Sequence, residues 1–180
     1  GWYHGDTANL SIGQGYMLST PIQMFRLIAA VANGGYLVRP HLVKSIVDVD
    51  GGLIEKSPSP QKHKVRVREA TLAFIRDSLR KVVREGTGWR ARNDVVAISG
   101  KTGTAQSSDE ERPHNWFISY TPPDGPHLAA VVLVEHREED ISIAAEISGS
   151  ILSRISTELG GSDVRTLVGS PDGAAAPEGG

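Results

Sequence analysis

The sequence predicts an α/β architecture of the α+β type, an antiparallel sheet flanked by helices, and three observations carry that expectation. Segments at about 95–105, 115–121 and 128–136 are rich in strand-forming apolar and aromatic residues, with Pro122-Pro123-Asp124-Gly125-Pro126 as a tight connection between the last two. They predict an antiparallel meander. Patterns at about 21–32, 69–84 and 142–159 instead space their apolar residues three and four apart, as helices do. The composition, 39% hydrophobic and 22% charged over 180 residues, suits a single globular unit.

Residues 1–19 read as a glycine-rich loop. Thr20 and Gln23 then form a capping box with Pro21 at the first helical position, and Gly34-Gly35 stops the helix. Its expected core stripe is Ile22, Phe25, Ile28, Ala29 and Ala32. Residues 42–49 and 53–56 predict a hairpin turned at Asp50-Gly51-Gly52, and 57–64 a polar loop containing Pro58 and Pro60. The next helix carries Leu72, Ile75, Leu79 and Val82 on one face and ends at Gly86. Val95, Val96, Ala97 and Ile98 open a buried strand. The last helix offers Ile141, Ala144, Ala145, Ile151, Ile155 and Leu159 to the sheet. Gly, Ala, Ser and Pro dominate 160–180, which reads as a disordered tail behind a domain of residues 1–159.

Several function classes find no support. A net charge of -2 without basic runs gives no footprint for nucleic acid. The longest apolar run, 128–134, is far shorter than a membrane span. With no cysteine there is no thiolate chemistry, and the six histidines lack ligand spacing, so neither metal nor cofactor is expected.

The residues that carry chemistry are Ser99-Gly100-Lys101-Thr102-Gly103-Thr104-Ala105, followed by the aromatic strand His114-Asn115-Trp116-Phe117. Gly100 and Gly103 remove side-chain bulk, so a peptide backbone can approach and add as a strand. Lys101 brings a compact cation with three donors, and Thr102 and Thr104 bring hydroxyls at the two-residue spacing that shares a face. Together they suit a peptide ending in a carboxylate. A phosphate-binding loop would need glycine five positions before Gly100, where Val95 stands. An ordinary Gly/Thr-rich turn is the plain alternative. Trp116 is expected in the core, His114 at the rim, and Asp6, Asn9 and Gln14 in a hydrogen-bonded loop scaffold.

The wider motif order resembles the C-terminal half of the transpeptidase domain of class B penicillin-binding proteins, most of all the elongation-type penicillin-binding protein 2. The likeness runs over about residues 5–158. It rests on Gly5-Asp6-Thr7-Ala8-Asn9-Leu10-Ser11-Ile12-Gly13-Gln14-Gly15-Tyr16, Thr20-Pro21-Ile22-Gln23-Met24, Ala32-Asn33-Gly34-Gly35, Gly86-Thr87-Gly88 and the segment from Ser99 to Gln106. The resemblance implies a beta-lactamase/transpeptidase-like fold, here an incomplete C-terminal portion, with the Lys101 strand an inner strand and the first strands supplied from upstream sequence.

It further implies that Lys101 joins the proton network, that Thr102 and Thr104 bind the substrate carboxylate, and that the Thr104 N–H is an oxyanion donor. Ser99, Gly100 and Gly103 complete the expected substrate wall. The family's nucleophile lies in Ser-x-x-Lys. Both matches here, Ser59-Pro60-Gln61-Lys62 and Ser78-Leu79-Arg80-Lys81, sit in the wrong context, and no Ser-x-Asn occurs. The expectation is therefore a fragment of a longer D,D-transpeptidase that acts on peptidoglycan stem peptides and is acylated by beta-lactam antibiotics. By resemblance, its partners are a membrane glycosyltransferase and elongation-complex proteins, and its location is an extracytoplasmic or periplasmic domain anchored in the cytoplasmic membrane. A beta-lactamase or D,D-carboxypeptidase on the same fold, and a non-catalytic binding module, are the alternatives.

Overall fold

In the computed structural model, the described residues are 1–57, 61–106, 112–125, 128–135 and 142–160, with the side chains of 159 and 160 set aside. Helix α1 (His4–Ser11) begins the chain, followed by α2 (Pro21–Ala32). Three short strands come next: β1 (Tyr36–Val38), β2 (Ser45–Val47) and β3 (Leu53–Lys56). After β4 (Lys62–Lys64) runs the long helix α3 (Glu69–Arg84), then a single 3₁₀ turn (Trp89–Ala91). The main sheet is β5 (Ser99–Ala105), β6 (His114–Thr121) and β7 (Leu128–Val134), and α4 (Ile143–Gly160) closes the described chain.

The meander forms as predicted, antiparallel and in the order β5-β6-β7. Central β6 alternates its side chains between two cores. Phe117 joins Val83, Ala91, Ile98, Ala144, Ala145 and Leu152 on the α4 face, while Tyr120 joins Ile28, Ala32 and Leu79 on the α2 face. Helix α3 contributes to both, through Val83 and Leu79, and so flanks β5. A buried hydroxyl pair, Ser119 Oγ to Ser148 Oγ at 2.7 Å, ties β6 to α4.

The α2 capping box is present: Thr20 N donates to Gln23 Oε1 at 2.7 Å, and Gln23 N to Thr20 Oγ1 at 3.4 Å. The hairpin of β2 and β3 turns at Gly51, φ +83°, a left-handed value that glycine adopts without strain.

Several expectations change. The loop over 1–19 contains α1, whose first turn is closed by Tyr3 N donating to Asp6 Oδ2 at 2.8 Å. The polar loop over 57–64 includes β4, which pairs antiparallel with β1. Val95–Ile98 is no strand. The Asn93 side chain accepts from the N–H groups of Val95 and Val96 at 3.0 and 2.9 Å, a local bond that competes with ladder pairing, and Val95 is exposed.

In α2, Ile22 is exposed and Ala30 buried. In α4, Ile151 faces out and the buried stripe is Ala144, Ala145, Ser148 and Leu152. Trp116 is half-buried, outside both cores. Among the described residues the Lys101 strand is an outer strand of this sheet; the inner position expected of it belongs to a sheet completed by upstream sequence. Residues 161–180, with the expected tail, lie outside the described residues, as does Ile141.

Candidate acyl-transfer wall

β5 pairs with β6 over its whole length, from Ser99↔Tyr120 to Ala105↔His114. Residues opposite one another in an antiparallel pair share a face. Gly100, Thr102 and Thr104 therefore share the face of Ser119, Phe117 and Asn115, and Lys101 and Gly103 share that of Ile118 and Trp116. The two threonines stand on one face, as their spacing requires.

Gly100 is buried because the Phe117 ring lies against it. A Cβ there would meet Phe117 Cζ at 2.5 Å and the Ile118 carbonyl at 2.8 Å. Ser99 is fully buried, so its side chain belongs to the sheet interior rather than the exposed wall. Its Oγ faces Tyr120, whose phenol is pushed above its ordinary pKa by burial, the Ser99 hydroxyl acting in the opposite sense. At these positions neither hydroxyl completes a hydrogen bond among the described residues.

Beyond Gly100 the strand emerges: Lys101 and Thr104 are exposed, Thr102 and Gly103 half-buried. Lys101 Nζ donates to the Thr102 carbonyl at 2.7 Å, and Gln14 Nε2 to the Thr104 carbonyl at 3.2 Å. In a β-strand a residue's C=O and N–H point to the same side, and successive residues alternate. The carbonyls of Thr102 and Thr104 accept from side chains outside the ladder, so their N–H groups also line the outer edge.

Two pieces of chain far from β5 in sequence complete the wall. Thr87 Oγ1 lies 2.7 Å from Thr102 Oγ1. It stands in the Gly86-Thr87-Gly88 turn after α3, where Gly86 N and Gly88 N both donate to the Val82 carbonyl and a Cβ on Gly88 would meet the Phe117 ring at 3.1 Å. Gln14 comes from the loop after α1. It also lines an open groove of about 480 Å³ with Trp2, Asp6, Asn9 and Tyr16. The loop scaffold expected around Gln14 thus reaches the site itself, whereas the contact of Thr87 carried no sequence signal beyond its place in a quoted motif.

The Ser78-Leu79-Arg80-Lys81 match contributes nothing to this wall. Ser78 Oγ donates to the Phe74 carbonyl at 2.8 Å, and Lys81 pairs with Asp77 at 2.8 Å. That pairing raises the Lys81 pKa and lowers that of Asp77. Ser59 lies outside the described residues.

The family model of the penicillin binding protein transpeptidase domain matches residues 1–153. The chain belongs to the penicillin-binding protein transpeptidase family. Stage V sporulation protein D of Bacillus subtilis is 35% identical over 164 residues, which are 86% of this chain and 25% of that protein. The peptidoglycan D,D-transpeptidase MrdA of Haemophilus influenzae is 30% identical over 172 residues, 84% of this chain and 26% of that protein.

Among solved structures, the imipenem acyl-enzyme complex of penicillin-binding protein A from M. tuberculosis superposes with a TM-score of 0.71 at 30% identity. That match covers 82% of this chain and 33% of the other. The expected class B likeness and the beta-lactamase-like α+β fold therefore hold. The chain spans about a quarter of the length of the curated relatives it matches. No helix among the described residues is long and apolar enough to cross a membrane.

Proposed function

We propose that this penicillin-binding protein segment supplies the substrate-binding wall of a serine D,D-transpeptidase, with the nucleophilic serine on sequence outside the 180 residues. The observation that supports this reading is the second half of β5, where Lys101 Nζ reaches the Thr102 carbonyl, Thr87 pairs with the Thr102 hydroxyl and Gln14 bonds the Thr104 carbonyl along one strand. The serine hydroxyl attacks the carbonyl of the penultimate D-Ala of a stem peptide, its proton passing into the network that includes Lys101. The C–N bond breaks, D-Ala leaves with a proton, and the acyl group passes to an amine of a neighbouring stem.

Lys101, Thr102 and Thr104 hold the terminal carboxylate through charge-assisted hydrogen bonds. The Thr104 N–H is one oxyanion donor, an element whose loss costs about 10²–10³ in rate. Gly103 clears the approach, while Ser99 and Gly100 act as the buried footing of the strand. Beta-lactams enter the same site and trap the acyl-enzyme. A membrane anchor, a periplasmic location, a glycosyltransferase and elongation-complex partners belong to this proposal through the family alone.

Incubation with a fluorescent penicillin, read by intact mass, tests it. The longer protein carrying this chain is expected to take one covalent adduct, and the 180-residue chain none. Labelling of the short chain points back to Ser59 or Ser78, and labelling of neither supports a non-catalytic binding module.

A further inference from the structure

Strands β2 and β3 form a two-stranded ribbon in which every residue of both strands is exposed, the apolar Ile46, Val47, Leu53 and Ile54 included. A ribbon covered on neither face is marginal in water and is stabilised by a third strand. Its two edges are not equivalent. On β3, Ile54 is the extra residue of a bulge, since Ile46 faces Glu55 and Val47 faces Leu53, and a bulge twists an edge away from further pairing.

The free edge of β2 is continuous. The Lys44 carbonyl accepts from Ser57 N at 3.0 Å, and Asp48 N donates to the Gly52 carbonyl at 2.8 Å, so both residues turn these backbone groups toward β3. By alternation Ile46 does the same, while Ser45 and Val47 point their N–H and C=O groups outward, where no described strand pairs with them.

This edge is complementary to itself. When a second copy runs antiparallel, hydrogen bonding requires outward-pointing residues to face one another, which excludes every register slipped by a single pairing step. Centred on Ile46, the pairing sets Ser45 against Val47, Ile46 against Ile46 and Lys44 against Asp48. Centring on Ser45 sets Lys44 against Ile46, and centring on Val47 sets Asp48 against Ile46. Centring on Lys44 or on Asp48 places like charges opposite. Opposite charges across a ladder stabilise it and like charges destabilise it, so the Ile46 register is the one the sequence selects.

We propose that β2 is a seam between two copies of this chain, pairing antiparallel about a two-fold axis at Ile46 and joining two ribbons into one four-stranded sheet. The charge pattern of 44–48 selects a second copy as the occupant. None of these residues belongs to the β5 wall, so the inference stands apart from the acyl-transfer reading. A seam of this length falls below the roughly 1,200 Å² at which standard interfaces begin, and association is expected at micromolar concentration or above.

The longer protein carrying this chain is expected to sediment as a reversible monomer–dimer mixture. Val47→Pro removes only an outward N–H, keeps the β2–β3 ladder, and is expected to abolish the dimer without moving the thermal midpoint. Lys44→Glu and Asp48→Lys are each expected to weaken self-association about tenfold, and an equimolar mixture of the two to associate as the wild type does, because each charge then meets its opposite. A loss of folding cannot produce that rescue. Ile46→Cys gives an independent reading, since opposite residues of a non-hydrogen-bonded pair lie within disulfide range: under mild oxidation it is expected to cross-link into dimers, and Leu53→Cys is not. A longer protein that stays monomeric, or an Ile46→Cys form that does not cross-link, overturns the inference and leaves the ribbon to the remainder of that protein or to another partner. A dimer that survives Val47→Pro overturns it as well, because its seam then lies elsewhere.

Discussion

Thr102 presents a hydroxyl whose direction is set by another residue. With Thr87 Oγ1 at 2.7 Å, one of the two hydroxyls must donate to the other, and if Thr87 is the donor the Thr102 proton is left for a carboxylate. That coupling has a measurable form. In the longer protein, Thr102→Val should slow acylation by a penicillin about tenfold or more, the range for a lost hydrogen bond to a charged group. Thr87→Val should cost somewhat less, through misdirection of the same proton. The double substitution should cost no more than Thr102→Val alone, because Thr87 acts only through Thr102. Additive losses would show that Thr87 contributes independently. Ser99 and Tyr120 illustrate the opposite case, buried hydroxyls that complete no hydrogen bond among the described residues.

At the scale of the element, β5 is a strand whose first half is fixed by the core and whose second half is left open. Gly100 marks the change, since a methyl group there would collide with the Phe117 ring and the Ile118 carbonyl. Gly100→Ala should destabilise the fold by about 1–3 kcal/mol, the cost of overpacking a closed core, with a matching fall in thermal midpoint. An unchanged midpoint would mean that Phe117 can move aside. The helices α2 and α3 and the order of the meander were legible in the sequence because caps, periodicity and turn residues agree. Helix α1 was not, because Gly5, Asn9 and its polar neighbours give it no buried face and its signal is a single closing contact from Asp6. β4 escaped for a related reason: Lys62, His63 and Lys64 are all exposed, and only the backbone ladder with β1 makes them a strand. Val95–Ile98 looked like a strand by composition, but Asn93 competes for its N–H groups. The Lys101 motif stands out in the sequence by the chemistry of its side chains. The contacts of Thr87 and Gln14 with it are long-range facts that no local pattern contains.

For the whole molecule, β7 poses the question of completeness. Leu128, Ala130, Val132 and Val134 pack toward the α4 core, Ala129 and Val131 toward the α2 core, so the strand is apolar on both faces. Such strands belong inside sheets rather than at their edges. Among the described residues, however, β7 pairs with β6 alone, and at the amino-terminal end Ile12, Tyr16 and Leu18 stand 73%, 84% and 92% exposed. The chain therefore presents an unpaired strand edge and an exposed apolar segment, of a kind that marks interaction sites or aggregation hazards. The remainder of the longer transpeptidase domain is the occupant that the comparison favours. The 180-residue chain by itself should bind a hydrophobic dye and associate beyond a dimer on concentration, while the longer protein goes no further than a dimer and stays dark under the same conditions. Light scattering and dye fluorescence decide it. A short chain that goes no further than a dimer and binds no dye would show that β7 and the amino-terminal segment are stable as they stand, and would remove the physical case for a missing neighbour.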